Sequence, residues 1–429
     1  MNRNFKNILL LITFAVVMQG ISSCRPLSRT EPTQTVSVDS TDVAPLVEEE
    51  TDSVAGFDSI PVLPSVIVGA EQTETYFPLL KDKRIAVFTN HTGVTKDGHL
   101  VDLLHRAGFN VVTIFAPEHG FRGDSDAGEQ VDDGTDTKTG IPIYSLYNRR
   151  SGKPDKQAMS MIDMVVTDIQ DVGLRFYTYY ISLSKIMDAC AENNKQMIVL
   201  DRPNPNGFYV DGPVLDMKYK SGVGYLPIPV VHGMTLGELA QMINGEKWLP
   251  EKRECKLMVI KCENYTHKTR YELPIPPSPN LPNMKSVYLY PSVCLFEGTV
   301  ASLGRGTEFP FQAYGHPDMK NLDFSFTPRS IPGAKNPPLL NRKCLGVDLR
   351  NIPDSIICEN GINLDYIIDA YNKLKMGDKF FTSFFERLTG VDYVRKMIIQ
   401  GKTAEEIKAK WQVDVEKFKS QRQPYLLYE

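Results

Sequence analysis

The sequence lacks the signatures of the commonest α/β enzymes. The turn after the first apolar run reads Asn90-His91-Thr92-Gly93-Val94-Thr95-Lys96-Asp97-Gly98 and holds no G-x-G-x-x-G pattern. A dinucleotide therefore loses its usual phosphate cradle. A Walker A loop is missing too. Ser302 is followed by Gly304 but preceded by Val300, where G-x-S-x-G needs a glycine, so the nucleophile elbow fails. H-E-x-x-H does not occur, and the seven cysteines contain no C-x-x-C pair, so zinc-cluster spacing is absent. Nucleotide cofactors and the commonest serine and zinc hydrolase mechanisms therefore lose support, and neither a cofactor nor a metal is expected. No basic stripe stands out, which argues against nucleic acid as a partner.

The first residues read as an export signal. Arg3 and Lys6 precede a mostly apolar stretch, Ile8 to Met18, too short to span a membrane. Ile21-Ser22-Ser23-Cys24 closes it and resembles a bacterial lipobox, which predicts a signal peptide over 1–23 and lipidation of Cys24. Lipid chains there would bury CH₂ groups at about 0.8 kcal/mol each. Removing Arg3 and Lys6 takes the formal charge from −4 to −6. Residues 24–60 carry eight acidic residues against Arg25 and Arg29, with few large apolar side chains. They read as an acidic, disordered tether. The expected location is the cell envelope of a Gram-negative bacterium, lipid-anchored. Beyond the leader no run is apolar enough to cross a membrane. Of the cysteines left after Cys24, Cys255 and Cys262 are the nearest pair, yet free thiols are expected.

The composition from 61 onward is globular and long enough for two domains, expected over 61–275 and 276–429. Arg84–Asn90, Asn110–Ala116, Met161–Asp168 and Gln196–Asp201 read as strands. His99–Ala107 and 179–193 read as helices. Short apolar strands between amphipathic helices predict an α/β fold with a mostly parallel sheet. A proline-rich crossing, Leu273–Pro282, has a pinned backbone suited to a pocket wall. Towards the end, Ile362, Leu364, Ile367, Ile368, Tyr371 and Leu374 form a core stripe. Thr403 and Glu406 frame a capping box for a helix reaching about Lys419.

The strand ends are chemically rich: Asn90-His91, Pro117-Glu118-His119-Gly120, Asp168-Ile169-Gln170-Asp171, and Asp201-Arg202-Pro203-Asn204. Right-handed crossovers bring such tips to one edge, where open α/β sheets bind ligands. Arg122, Asp124 and Asp126 follow Glu118, with Gly120, Gly123 and Gly128 to let the loop wrap a ligand. Carboxylates, His, Asn, Arg and Tyr on glycine-rich loops suit a polyhydroxylated substrate. Glycoside hydrolysis needs a carboxylic acid to protonate the leaving oxygen and usually a second group. Glu118 is the candidate acid, a role that needs a pKa raised to roughly 6–7. His119 would then serve neutral, as a hydrogen-bond partner.

Six segments in order carry a family resemblance: Asn90-His-Thr-Gly93, Pro117-Glu-His-Gly-Phe-Arg-Gly123, Asp168-Ile-Gln-Asp-Val-Gly-Leu-Arg-Phe-Tyr177, Asp201-Arg-Pro-Asn-Pro-Asn-Gly207, Pro277-Ser-Pro-Asn-Leu-Pro282 and Glu297-Gly-Thr299. Together they resemble the NamZ-type exo-β-N-acetylmuramidases over about residues 64–429. The resemblance implies a Rossmann-like domain, a smaller mixed α/β C-terminal domain and a cleft between them. It implies release of N-acetylmuramic acid from non-reducing ends of peptidoglycan fragments such as MurNAc-GlcNAc, with Glu118 catalytic. Glu297 and Glu308 are candidates for the second carboxylate. Asn90, His91 and His119 are expected at the sugar site, with Asp168, Asp171 and Asp201 orienting hydroxyls or capping loops. Arg175 or Arg305 is expected to meet the lactyl carboxylate of muramic acid. Tyr177 is a candidate for positioning, while His232 and His267 read as ordinary structure.

Two other classes compete. One is a non-catalytic lipoprotein that captures muramyl saccharides in the same cleft. The other is a metal-dependent cell-wall amidase or deacetylase using His91, His119 and Asp168 as ligands, although their spacing matches no standard zinc motif.

Overall fold

Strand β1 (Ile85–Thr89) is buried at every residue, which only a sheet covered on both faces allows. In the computed structural model, which describes residues 64–118, 120–122, 132–146 and 151–429, β1 lies at the centre of that sheet. The leader, Cys24, the tether, His119, Gly123, Asp124, Asp126 and Gly128 lie outside the described residues. Contacts divide the chain into Met1–Val62 and Leu63–Glu429, and the second unit is described below.

After α1 (Thr73–Leu80) and β1 come a small hairpin, β2 (Val94–Thr95) with β3 (Gly98–His99), and α2 (Leu100–Arg106). Next follow β4 (Val111–Ala116), β5 (Gly134–Thr135), β6 (Pro142–Ser145), α3 (Lys156–Ser160) and β7 (Met164–Asp168). Then α4 (Tyr179–Glu192), β8 (Gln196–Leu200), α5 (Leu236–Gly245) and β9 (Lys256–Ile260) complete a seven-stranded sheet in the order β5-β6-β4-β1-β7-β8-β9. Every pairing in it is parallel except β5 with β6.

The period of two along each strand sorts the core into two layers. Ala86, Phe88, Phe115, Val165, Met197 and Val199 face one side, with α4 and α5. Ile85, Val87, Ile114, Val166, Ile198 and Leu200 face the other, with α1 and α2. Strand order reverses at β1: the chain runs outward through β4 to β6, then returns to β7. The carboxyl ends of β1, β4 and β7 therefore border the crevice where such sheets take ligands.

The C-terminal part is smaller. Helix α6 (Met284–Val293) leads to an antiparallel sheet of β10 (Ala313–His316), β11 (Phe324–Phe326) and β12 (Cys344–Asp348), in the order β10-β12-β11. Five helices follow: α7 (Asp354–Asn360), α8 (Asp365–Leu374), α9 (Phe385–Thr389), α10 (Tyr393–Ile399) and α11 (Ala404–Arg422). Of the expected core stripe, Ile362, Leu364, Ile367 and Leu374 are buried, while Ile368 and Tyr371 are partly buried against the core. The Thr403–Glu406 capping box forms as expected. The chain then returns to the first sheet, where Tyr428 donates to Asp201 Oδ2 at 2.7 Å and the Leu427 amide to Glu238 Oε1 at 2.8 Å. All six cysteines of the described residues are free. No helix among those residues is long and apolar enough to cross a membrane.

Candidate active site

Glu118 follows β4 in a tight turn closed by the Gly120 amide donating to the Pro117 carbonyl at 3.1 Å. Gly120 stands at φ +73°, a conformation that favours glycine. The half-buried Glu118 accepts a hydrogen bond at Oε2 from Thr178 Oγ1, 3.0 Å away. Thr178 occupies the cap position of α4 but makes no side-chain bond to that helix. Its hydroxyl bridges to the neighbouring strand tip instead.

The two residues lie in a cleft of about 140 Å³. Phe176, Tyr177 and Tyr179 form one wall, and Tyr290 and Phe311 contribute further aromatic surface. Ser278, Asn280 and Leu281 come from the proline-rich crossing, which is a pocket wall as its composition predicts. Glu297 and Arg305 complete the polar lining. Arg305 donates from Nε (2.9 Å) and Nη2 (2.6 Å) to Glu297 Oε1. Burial pulls the Arg305 pKa down, and the Glu297 carboxylate more than offsets this. A wider hollow of about 520 Å³, lined in part by Leu215, Tyr393 and Lys417, contains none of the residues singled out from the sequence.

Asn90 and His91 act on the wall from behind. Asn90 Nδ2 donates to the Tyr179 hydroxyl at 2.7 Å, while its Oδ1 accepts from the Thr92 amide and hydroxyl. Tyr177 donates to the Pro277 carbonyl at 2.7 Å, and His91 Nε2 donates to the Pro276 carbonyl at 3.0 Å. Tyr177 and Tyr179 meet edge to face, ring centroids 4.7 Å apart. Burial raises both phenol pKa values, so both rings stay neutral. Hydrogen bonds thus tie the strand tip of β1, the start of α4 and the crossing into one frame.

Five other sequence candidates, Asp168, Asp171, Arg175, Asp201 and Glu308, are absent from the cleft lining, Asp171 accepting from the Gly173 amide at 2.7 Å. Asp168 is buried and takes Arg202 on both oxygens, at 2.5 and 3.0 Å. Arg175 is fully buried and donates to the carbonyls of Pro213, Ile228, Leu388 and Thr389. Asp201 accepts from Thr235, the Gly237 amide and Tyr428, which anchors α5 and the chain end. Burial raises its pKa to about 6. Glu308 is exposed, because its loop turns at Gly304 and Gly306, both at positive φ, and sends Arg305 inward and Glu308 outward. Of the three residues offered as metal ligands, Asp168 is occupied by Arg202, His91 Nε2 carries a proton towards a carbonyl, and His119 lies outside the described residues. Among the described residues no group of three or more His, Cys, Asp or Glu side chains stands close enough together to hold a metal ion. His232 is buried with Nδ1 accepting from the Met234 amide, and His267 meets Glu238 Oε1 at 3.0 Å, both structural placements.

Thr178, Tyr179, Tyr290, Phe311, Ser278 and Asn280 line the cleft but were not selected from the sequence. Tyr179 and Thr178 directly follow the Asp168–Tyr177 motif, at a helix start level with a polar strand tip, and that proximity was the available signal. Tyr290 and Phe311 carried none, since aromatic residues in apolar segments are usually core.

Residues 85–285 match the family described as Exo-beta-N-acetylmuramidase NamZ, N-terminal, and 288–428 match its C-terminal counterpart. The chain is 37% identical over 377 residues to the Peptidoglycan beta-N-acetylmuramidase NamZ of Bacillus subtilis (strain 168), covering 82% of this chain and 89% of that protein. Two crystal structures of DUF1343 family proteins from Bacteroides fragilis NCTC 9343 are similar. One is 64% identical with a TM-score of 0.81, the other 30% identical with 0.73, and each covers 85% of this chain and 99% of its own. By motif order, length and fold, the chain belongs to the NamZ family of exo-β-N-acetylmuramidases.

Proposed function

We propose that the protein is an exo-acting glycoside hydrolase that releases N-acetylmuramic acid from the non-reducing ends of peptidoglycan fragments. The observation that carries this reading is Glu118, held by Thr178 in an aromatic-walled cleft, in a chain so similar to the Bacillus muramidase. Exo action is supported by the family to which the chain belongs, described as exo-β-N-acetylmuramidases. Aromatic rings suit the apolar face of a pyranose, and Ser278 and Asn280 suit its hydroxyl and acetamido groups. Glu118 acts as the general acid, delivering its proton to the glycosidic oxygen as the bond to the anomeric carbon breaks; water supplies the oxygen that ends on that carbon and gives up its proton to a base. The Thr178 bond holds one oxygen of the carboxyl group, which narrows the search for a productive geometry.

The test is release of free muramic sugar from a MurNAc-GlcNAc disaccharide by the wild-type chain and by Glu118→Gln, with and without chelator. Turnover that survives chelator and falls at least about 100-fold in the variant supports the reading. Saturable binding without turnover would leave a capture protein, and loss in chelator restored by zinc would leave a metal-dependent hydrolase.

The same reading extends to the chain's start. The basic leader and Ile21-Ser22-Ser23-Cys24 support cleavage before Cys24, lipidation of that residue and a lipid-anchored place in the cell envelope. The acidic segment 24–60 then gives the catalytic body reach from the lipid surface. Metabolic labelling with a fatty-acid analogue tests it: label lost in Cys24→Ser, with protein freed from membranes, is the expected result. Label that persists in the variant would refute it.

A further inference from the structure

We infer that Arg305, held by Glu297, is the receptor for the lactyl carboxylate of the muramic acid ring and so selects muramic acid over glucosamine. The inference rests on the muramidase reading above. The two sugars differ by one lactyl ether, which carries a carboxylate, so discrimination needs a cation in the sugar's cleft. Arg305 is the one cation among the described residues that line it. Arg175, the other arginine with this chemistry in a motif, is fully buried and spends its guanidinium on four carbonyls.

Geometry suits Arg305 to the task. A guanidinium has five N–H donors in a fixed fork. The bonds to Glu297 Oε1 use Nε and Nη2 and leave Nη1 unused. The remaining edge, with donors from Nη1 and Nη2, is the one that grips a carboxylate through two parallel hydrogen bonds. Phe311 lies under the group, its ring centroid 4.9 Å from Arg305 Cζ, and restricts its swing. Glu297 is a positioning residue in this arrangement, since it orients the fork. Gly298, next to Glu297, packs so tightly that a Cβ there would stand 2.5 Å from Phe385 Cα, so the backbone that carries Glu297 is pinned.

The experiment compares a chromogenic N-acetylmuramide with the same compound carrying its lactyl group as a neutral amide. Both are given to the full-length wild type, Arg305→Gln and Arg305→Lys. The wild type is expected to prefer the acid by roughly 10- to 100-fold in kcat/KM, the scale of a charge-assisted pair. Arg305→Gln is expected to bring the ratio to about one by losing rate on the acid alone, and Arg305→Lys, which keeps charge without a fork, to fall between. Equal turnover of acid and amide by the wild type would overturn the inference without any variant. A ratio unchanged in Arg305→Gln, or equal losses on both compounds, would overturn it too. If the wild type turns over neither compound nor the disaccharide, the muramidase reading itself fails, and that result is distinct from the other two.

Discussion

Thr178 Oγ1 donates to Glu118 Oε2 across 3.0 Å, joining the tip of β4 to the start of α4 from positions 60 residues apart. This bond gives the catalytic candidate a hold on one of its carboxylate oxygens, and the Thr178 side chain makes no capping bond to α4 that its loss would break. Thr178→Ala is therefore expected to lower kcat by roughly 10-fold with little change in KM or in the unfolding midpoint. Thr178→Ser, which keeps the hydroxyl, is expected to restore most of the rate. A rate in Thr178→Ala equal to wild type would show that Glu118 needs no such hold.

Asp171 gives a pH dependence of stability. It is buried, its Oδ1 accepts from the Gly173 amide at 2.7 Å, and its Oδ2 has no hydrogen-bond partner among the described residues. Burial raises its pKa to about 7, against an ordinary value of 3.8. A carboxyl group raised in the folded state contributes stability that is full below the ordinary value and is lost as pH rises through about 7. Asp171→Asn, which cannot ionise, is expected to be less sensitive between pH 4 and 7 and more stable than wild type at pH 8, by at most on the order of 4 kcal/mol. Parallel wild-type and variant curves from urea titrations across that range would contradict it.

Asp168 is expected to matter for folding rather than for sugar binding. With Arg202 it forms a buried pair, and removing one partner leaves the other's charge uncompensated. Asp168→Asn should cost about 3–5 kcal/mol in denaturant unfolding. KM measured at a temperature where the variant is still folded should stay near wild type. A KM raised tenfold in a fully stable variant would return Asp168 to the substrate.

Much of the first half was legible because its signals are local. Parallel strands buried on both faces read as short apolar runs, and β1, β4, β7 and β8 appear within a few residues of their expected limits. Glu118 stood out for the same reason, as a carboxylate at a strand tip. What local signals missed is how loops turn. Gly173 shows the difficulty: at φ +78° a Cβ would stand 2.2 Å from Asn204 Oδ1, so the turn that carries Tyr177 and Thr178 towards the cleft depends on a neighbour 31 positions away.

By itself the sequence determined four central strands of the main sheet, its polar edge, the candidate acid and the family, since periodicity and short motifs survive without knowing what packs on what; β6, β9 and the β10-β12-β11 sheet it did not mark. The tertiary structure alone decided which candidates meet. It sent Arg305 into the cleft and Arg175 into a cage of carbonyls, turned Glu308 to solvent, and gave Asp168 to Arg202 and Asp201 to the chain end. Those choices depend on contacts between segments far apart in the chain, where one backbone turn reverses the direction of a side chain, and no local pattern encodes that direction.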